Sequence, residues 1–305
     1  MNSDRFTKVF VSYTLRDACV TVEKLRALKR QLPLGYDSFV DIIDNDSEDK
    51  QERVDYELEH CKKMLLVKSE NIQNSDWVRH ELFKAWSLKL PIEEISTDIR
   101  ISETMSRHRV FISYHHQNDQ WAKDRLIELN DKFNFFIDCS VDTGDIPDDW
   151  DDQHIRMEIR DNYLRDSTVT LLLVGEETKN RKHIDWELYS SMFDGTRNKK
   201  SGIVVIMLPS TNCTYCQASH AGEKESIYSN VDTWTTVNTR VEFERRFPYM
   251  PARIIDNLLA PNVKISVANW NDLSVEKLSI LIDNAANDRA SNQYDMSRAM
   301  KRKNS

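Results

Sequence analysis

The chain reads as two α/β units in tandem, and three observations point there. The stretch VFVSYTLRD at residues 9–17 returns as VFISYHHQND at 110–119: a short apolar strand, Ser-Tyr, then a polar turn before a helix. TVTLLLVG and SGIVVIMLP are unbroken apolar runs without period-two alternation, which suits parallel strands covered by helices on both faces. A length of 305 residues favours two cores over one.

The first unit is expected over residues 1–92. Lys8 to Tyr13 is its first strand, and LRDACVTVEKLRALKRQL carries helical spacing. YDSFVDIID reads as a second strand ending in an acidic stretch, a helix passes through Tyr56 and Leu58, and KKMLLVKSE is the third strand. Ser75 or Asp76 caps the helix WVRHELFKAWSLK, and LPIEEI is a short fourth strand. Ser/Thr/Arg-rich sequence at 93–107 reads as a linker. The second unit, 108–290, repeats the order: strand RVFISY, helix NDQWAKDRLIELNDKF, strand FFIDCSV, an acidic loop, helix HIRMEIRDNYL, strand TVTLLLVG, helix IDWELYSSM and strand SGIVVIMLP. A long connection at 210–250 follows, then helix ARIIDNLL, strand VKISVANW and helix SVEKLSILIDNAAND. Residues 291–305 read as a basic, disordered tail.

Composition narrows the function. The chain is 40% hydrophobic and 30% charged, with no apolar run long enough to span a bilayer, so no membrane role is expected. Five cysteines and an N-terminus without an apolar signal core suggest reduced thiols and a cytoplasmic location. A net charge of −8 argues against general affinity for nucleic-acid backbones. Six glycines form neither a dinucleotide-binding nor a Walker-type loop, and no nucleophile elbow occurs. Cys213, Cys216 and His220 offer three zinc ligands where a structural site wants four, so no metal is expected.

Position then identifies the candidates, because ligands of open α/β sheets bind outside the carboxyl ends of the strands. Ser12, Tyr13, Thr14 and Arg16 follow the first strand of unit one, and Ser113, Tyr114, His115 and His116 that of unit two. After the third strands come SDWVRHEL and KHIDWELY, in which Trp77 precedes Glu81 and His183 precedes Glu187 by four residues, one helix face each. Both glutamates are placed in the first turn of their helices, where an acid can simply complement the macrodipole. Trp77 and Trp186 are either core anchors or pocket walls.

These residues carry a resemblance. VFVSYTLRD, FVDIID and SDWVRHEL resemble a Toll/interleukin-1 receptor (TIR) domain in a short, degenerate version. VFISYHHQND, FFIDCSVDTGDI, TVTLLLVGEETKNRKHIDWEL and SGIVVIMLP are similar to the TIR-like domain of Thoeris ThsB proteins of bacterial antiphage defence. The resemblance implies flavodoxin-like sheets in both units. It also implies cleavage of NAD, as substrate and not cofactor, at the nicotinamide–ribose bond, with an ADP-ribose or cyclic ADP-ribose signal as product. Glu187 and Glu81 take the family's catalytic position. Ser113, Tyr114, His115, Asp138, His183 and Trp186 in unit two, with Ser12, Tyr13 and Trp77 in unit one, become the substrate-binding set. Expected partners are other TIR-like domains through self-association, a separate effector that responds to the nucleotide signal, and a phage component as trigger. A non-enzymatic adaptor and a nucleotide sensor are the competing readings. One carboxylate suffices for the chemistry: nicotinamide leaves a pyridinium cation as a neutral molecule, so no general acid is required, unlike ordinary glycoside hydrolysis.

Overall fold

A computed structural model describes residues 5–101, 106–140, 150–164, 166–196, 199–229 and 237–304. The chain divides into two compact units, Met1–Thr104 and Met105–Ser305.

Unit 1 contains β1 (Thr7–Ser12), α1 (Val22–Gln31), β2 (Tyr36–Phe39), α2 (Asp41–Asp44), α3 (Lys50–His60), β3 (Lys63–Lys68), α4 (Asp76–Ser87) and β4 (Ile92–Ser96). Its four strands run parallel in the order β2-β1-β3-β4, so successive connections cross over the sheet through helices. Side chains mark the helix starts: Thr21 accepts from Lys24 N–H, Asp49 from Glu52 N–H and Ser75 from Val78 N–H, each satisfying an orphan donor of a first turn. Helices cover both sheet faces, one over Val9, Val11, Leu65 and Val67, the other over Phe10 and Met64.

Unit 2 contains β5 (Arg109–Ser113), α5 (His116–Phe133), β6 (Ile137–Asp138), α6 (Asp152–Glu158) with a π-helical turn over Ile159–Tyr163, β7 (Val169–Val174), α7 (Lys182–Met192), β8 (Gly202–Met207), α8 (Glu223–Ile227), α9 (Arg240–Arg246), α10 (Ala252–Leu259), β9 (Ile265–Asn269) and α11 (Val275–Asp288). Five parallel strands follow the order β6-β5-β7-β8-β9, one more than unit 1. β7, β8 and β9 are buried along their whole length, as the unbroken apolar runs require. Gly202 opens β8 because a Cβ there would stand 2.1 Å from the Ala285 carbonyl oxygen of α11. Both units are α/β flavodoxin-like sheets.

Several boundaries differ from expectation. The strand expected over YDSFVDIID stops at Phe39, and 41–44 turn into α2. Asp44 accepts from the Val40 N–H and pairs with Lys29, so a local side-chain bond replaces the strand ladder. The expected linker at 93–107 begins inside β4. Ile99 is buried, Lys24 Nζ donates to the Thr97 carbonyl and Gln31 Nε2 to that of Arg100, which ties this segment to α1. The second strand of unit 2 is only two residues long.

The largest correction concerns residues 291–304 of the 291–305 tail expected to fray; Ser305 lies outside the described residues. Arg253, fully buried, donates from Nε and Nη2 to the two Asp185 carboxylate oxygens at 2.9 and 3.0 Å, and to the carbonyls of Arg298 and Ala299. Lys301 N–H donates to Asp185, Trp186 Nε1 donates to the Lys301 carbonyl at 2.7 Å, and Asn304 Oδ1 accepts from the Lys182 N–H. Met300 is buried against Trp186. A basic composition describes only this segment's charge; its backbone groups, Met300 and the Asn304 amide hold it to α7 and α10.

Candidate functional site

The carboxyl edge of each sheet carries the same pair. Ser12 ends β1 and its Oγ donates to Glu81 Oε2 at 2.5 Å; Ser113 ends β5 and its Oγ donates to Glu187 Oε2 at 2.6 Å. Both glutamates are the sixth residue of their helices, α4 and α7. The expected first-turn placement is therefore wrong, and the correction has a physical consequence. Macrodipole stabilisation fades beyond the first turn, and Asp76 and Asp185 already occupy the first turns. Complementing a dipole does not account for Glu81 or Glu187.

Burial sets their electrostatics. Glu187 is 4% exposed and Glu81 8% exposed. Desolvation pushes the Glu187 carboxyl up to about 7, with the Ser113 hydroxyl pulling the other way. Glu81 goes higher, to about 8, although slightly less buried, because Asp41 adds like-charge repulsion to desolvation. Each is a carboxyl poised near neutrality beside one hydroxyl, a state typical of functional carboxylates.

The other expected site residues divide. Tyr13 lies beside the unit 1 pair, its hydroxyl accepting from the Ile42 N–H, and burial pushes its phenol up. Tyr114 is buried, donates to Gln120 Oε1 at 2.7 Å and stacks on His116 with ring centroids 4.5 Å apart. His115 is buried at the start of α5. Asp138 is exposed at the end of β6, on the far side of β5 from β7, and accepts from the Ser140 N–H. His183 meets the edge of Trp186 at 4.9 Å.

Two tryptophans do not form pocket walls. Trp186 is 1% exposed within a core of Phe111, Ile159, Leu164 and Met300, because its place next to Glu187 turns it away from the Ser113 side of the helix. Trp77 is 61% exposed while Glu81 is buried, so one helix face does not place the ring over the carboxyl. Cavities of about 750 and 420 Å³ lie elsewhere: one against Leu66, Trp86 and Ile92, the other against Lys179, Phe247 and Met250.

Two buried aspartates escaped the sequence reading. Asp17 follows β1 and accepts from the Asn71 N–H at 2.9 Å and from Asn71 Nδ2 at 2.6 Å, joining the two central loops of unit 1. Asp119 is its counterpart after β5, and Gly175 lets its carboxylate lie against the end of β7: a Cβ on Gly175 would meet Asp119 Oδ2 at 2.4 Å. In sequence, Asp119 looks like an ordinary first-turn helix acid. Only its spacing from Ser113, close to that of Asp17 from Ser12, hints otherwise.

In the long connection, Cys213 Sγ lies 3.4 Å from the Arg246 carbonyl oxygen, and burial pushes both the Cys213 and Cys216 thiols up. His220 is engaged elsewhere, its Nδ1 2.7 Å from Asp288. Among the described residues no cluster of His, Cys, Asp and Glu side chains could hold a metal ion, and no helix is long and apolar enough to cross a membrane.

The family model for the Thoeris protein ThsB, TIR-like domain, matches residues 111–213, a span from β5 through β8 that contains Ser113, Asp119 and Glu187. No curated protein matches the chain. The second unit is thus similar, over residues 111–213, to the TIR-like domain of Thoeris ThsB proteins, and the Ser113–Glu187 pair at the carboxyl edge of its parallel sheet lies within that match.

Proposed function

We propose that the chain is an antiphage-defence protein of the Thoeris type whose second unit cleaves NAD at the nicotinamide–ribose bond, producing an ADP-ribose-type signal, hydrolysed or cyclised, for a separate effector. The observation that carries this reading is the buried Ser113–Glu187 pair, repeated as Ser12–Glu81 at the same helical position. A carboxylate in a water-poor setting interacts strongly with a developing ribosyl cation, and Ser113 orients it. Neutral nicotinamide departs without an acid, which matches a site built on one carboxylate. A phage component would act as trigger.

For unit 1, exposure of Trp77, Phe83 and Trp86 along α4 favours a second reading, an assembly role towards other TIR-like domains. Large exposed apolar side chains along one helix commonly mark interaction surfaces.

Full-length protein incubated with NAD, with and without phage-infected cell lysate, and resolved by chromatography and mass spectrometry, tests the proposal. Glu187→Gln is expected to lower turnover by about 10²–10³-fold, the usual loss on removing one preorganised electrostatic partner; Glu81→Gln costs less. Unchanged turnover in a folded Glu187→Gln protein refutes the assignment, and equal losses in both variants mean that the two units act together.

A further inference from the structure

His115 stands two residues beyond Ser113, 9% exposed, and its Nδ1 is buried with no hydrogen-bond partner. It occupies the N-cap of α5 without using its side chain to cap; its backbone carbonyl alone accepts, from the N–H groups of Asn118 and Asp119. The counterpart in unit 1 is Thr14, also buried, whose Oγ1 accepts from the Arg16 N–H at 3.3 Å. The same turn is thus locally satisfied in one unit and left with an open imidazole nitrogen in the other. A buried polar atom without a partner costs free energy and calls for a ligand or a chemical task. Burial first, then Arg181 and His116, hold the ring on the neutral side, against Glu177. In the neutral tautomer that carries its hydrogen on Nε2, the unpartnered Nδ1 presents a lone pair that can accept a proton.

We propose that His115 is the proton acceptor for the hydroxyl nucleophile that captures the ribosyl cation in unit 2. This rests on the NAD-cleavage reading above and extends it to the second half of the reaction. The bond between nicotinamide nitrogen and C1′ breaks with its electron pair going to nicotinamide, leaving an oxocarbenium ion opposite the Glu187 carboxylate. The oxygen of water or of a ribose hydroxyl then bonds to C1′, and its proton passes to His115 and on to solvent. No oxidant or reductant enters. Thr14 is no base at neutral pH, so unit 1 lacks this step, and the products of unit 2 are oxygen-linked at C1′.

The test separates departure from capture. Labelled nicotinamide added to a reaction with unlabelled NAD enters the NAD pool whenever the cation forms and reverts, a cycle that needs no base. Full-length His115→Asn and His115→Gln are expected to keep this exchange while oxygen-linked product falls on the order of 10²-fold or more, the usual contribution of a positioned base. Product formation at the wild-type rate in either variant overturns the role of His115 and leaves NAD cleavage standing. Parallel loss of exchange and product, with a lowered melting temperature, makes His115 a structural residue and also overturns the proposal. Wild-type product linked at C1′ through a ring nitrogen of adenine overturns it without any variant. Absence of both exchange and cleavage in triggered wild-type protein removes the underlying reading, and the proposal with it.

Discussion

Replacing Glu187 by Gln is expected to stabilise the second unit at alkaline pH while removing the proposed NAD cleavage. Burial raises the Glu187 carboxyl from its ordinary 4.5 to about 7. The folded state therefore holds a proton that the unfolded state has released, and this contribution is fully present below about 4.5 and is lost as pH rises through about 7. At 1.36 kcal/mol per pH unit, that interval makes the ionised side chain cost about 3 kcal/mol at pH 8. Glutamine mimics the protonated form in shape, accepts the Ser113 hydroxyl in the same way, and never ionises. Urea unfolding followed by tryptophan emission suits the measurement, because Trp186 and Trp270 of unit 2 are buried whereas Trp77 and Trp86 of unit 1 are exposed. The free-energy gap between variant and wild type should be small near pH 4.5 and reach about 3 kcal/mol in favour of glutamine by pH 8. A helix-dipole role predicts the opposite sign, a loss of about 0.3–1 kcal/mol with ionised glutamate the better residue. A gap that does not widen with pH, or wild type more stable at pH 8, refutes the claim that Glu187 is held under desolvation strain.

Further expectations concern the neighbours of that helix. Ser113→Ala removes the hydrogen bond that lowers the Glu187 pKa, so if the proposed NAD cleavage rises with ionisation of Glu187, its pH profile should shift to higher pH than in wild type; an unmoved profile means another group titrates. Arg253→Met leaves the Asp185 carboxylate buried without its guanidinium, at a cost of about 3–5 kcal/mol in urea unfolding. Adding Asp185→Leu should restore most of that loss, and failure to do so would show that the C-terminal contacts, not the unpaired charge, dominate.

Much of the fold was legible because its signals are local. Unbroken apolar runs identified β7 and β8, and Ser75 marked the start of α4. The repeated Ser-Tyr turn and the spaced glutamates point to Ser12, Glu81, Ser113 and Glu187 from sequence alone, since strand ends and helix faces follow from chain order and period. What sequence could not state is which way each side chain is buried. Trp186 and Glu187 are adjacent, yet one enters the core and the other meets Ser113, a division set by what packs on α7. The same holds for Asp119, whose carboxylate lies against Gly175 just beyond β7, and for Asp185, whose partner Arg253 lies on α10. The C-terminal segment reads as disordered because most of its hold is through backbone groups, which composition does not encode. Sequence by itself therefore determined the two parallel sheets and the pair of carboxyls at their edges. Only the tertiary structure decided that those carboxyls lie dry enough to titrate near neutrality, because desolvation is a property of everything packed around a group and not of the residue itself.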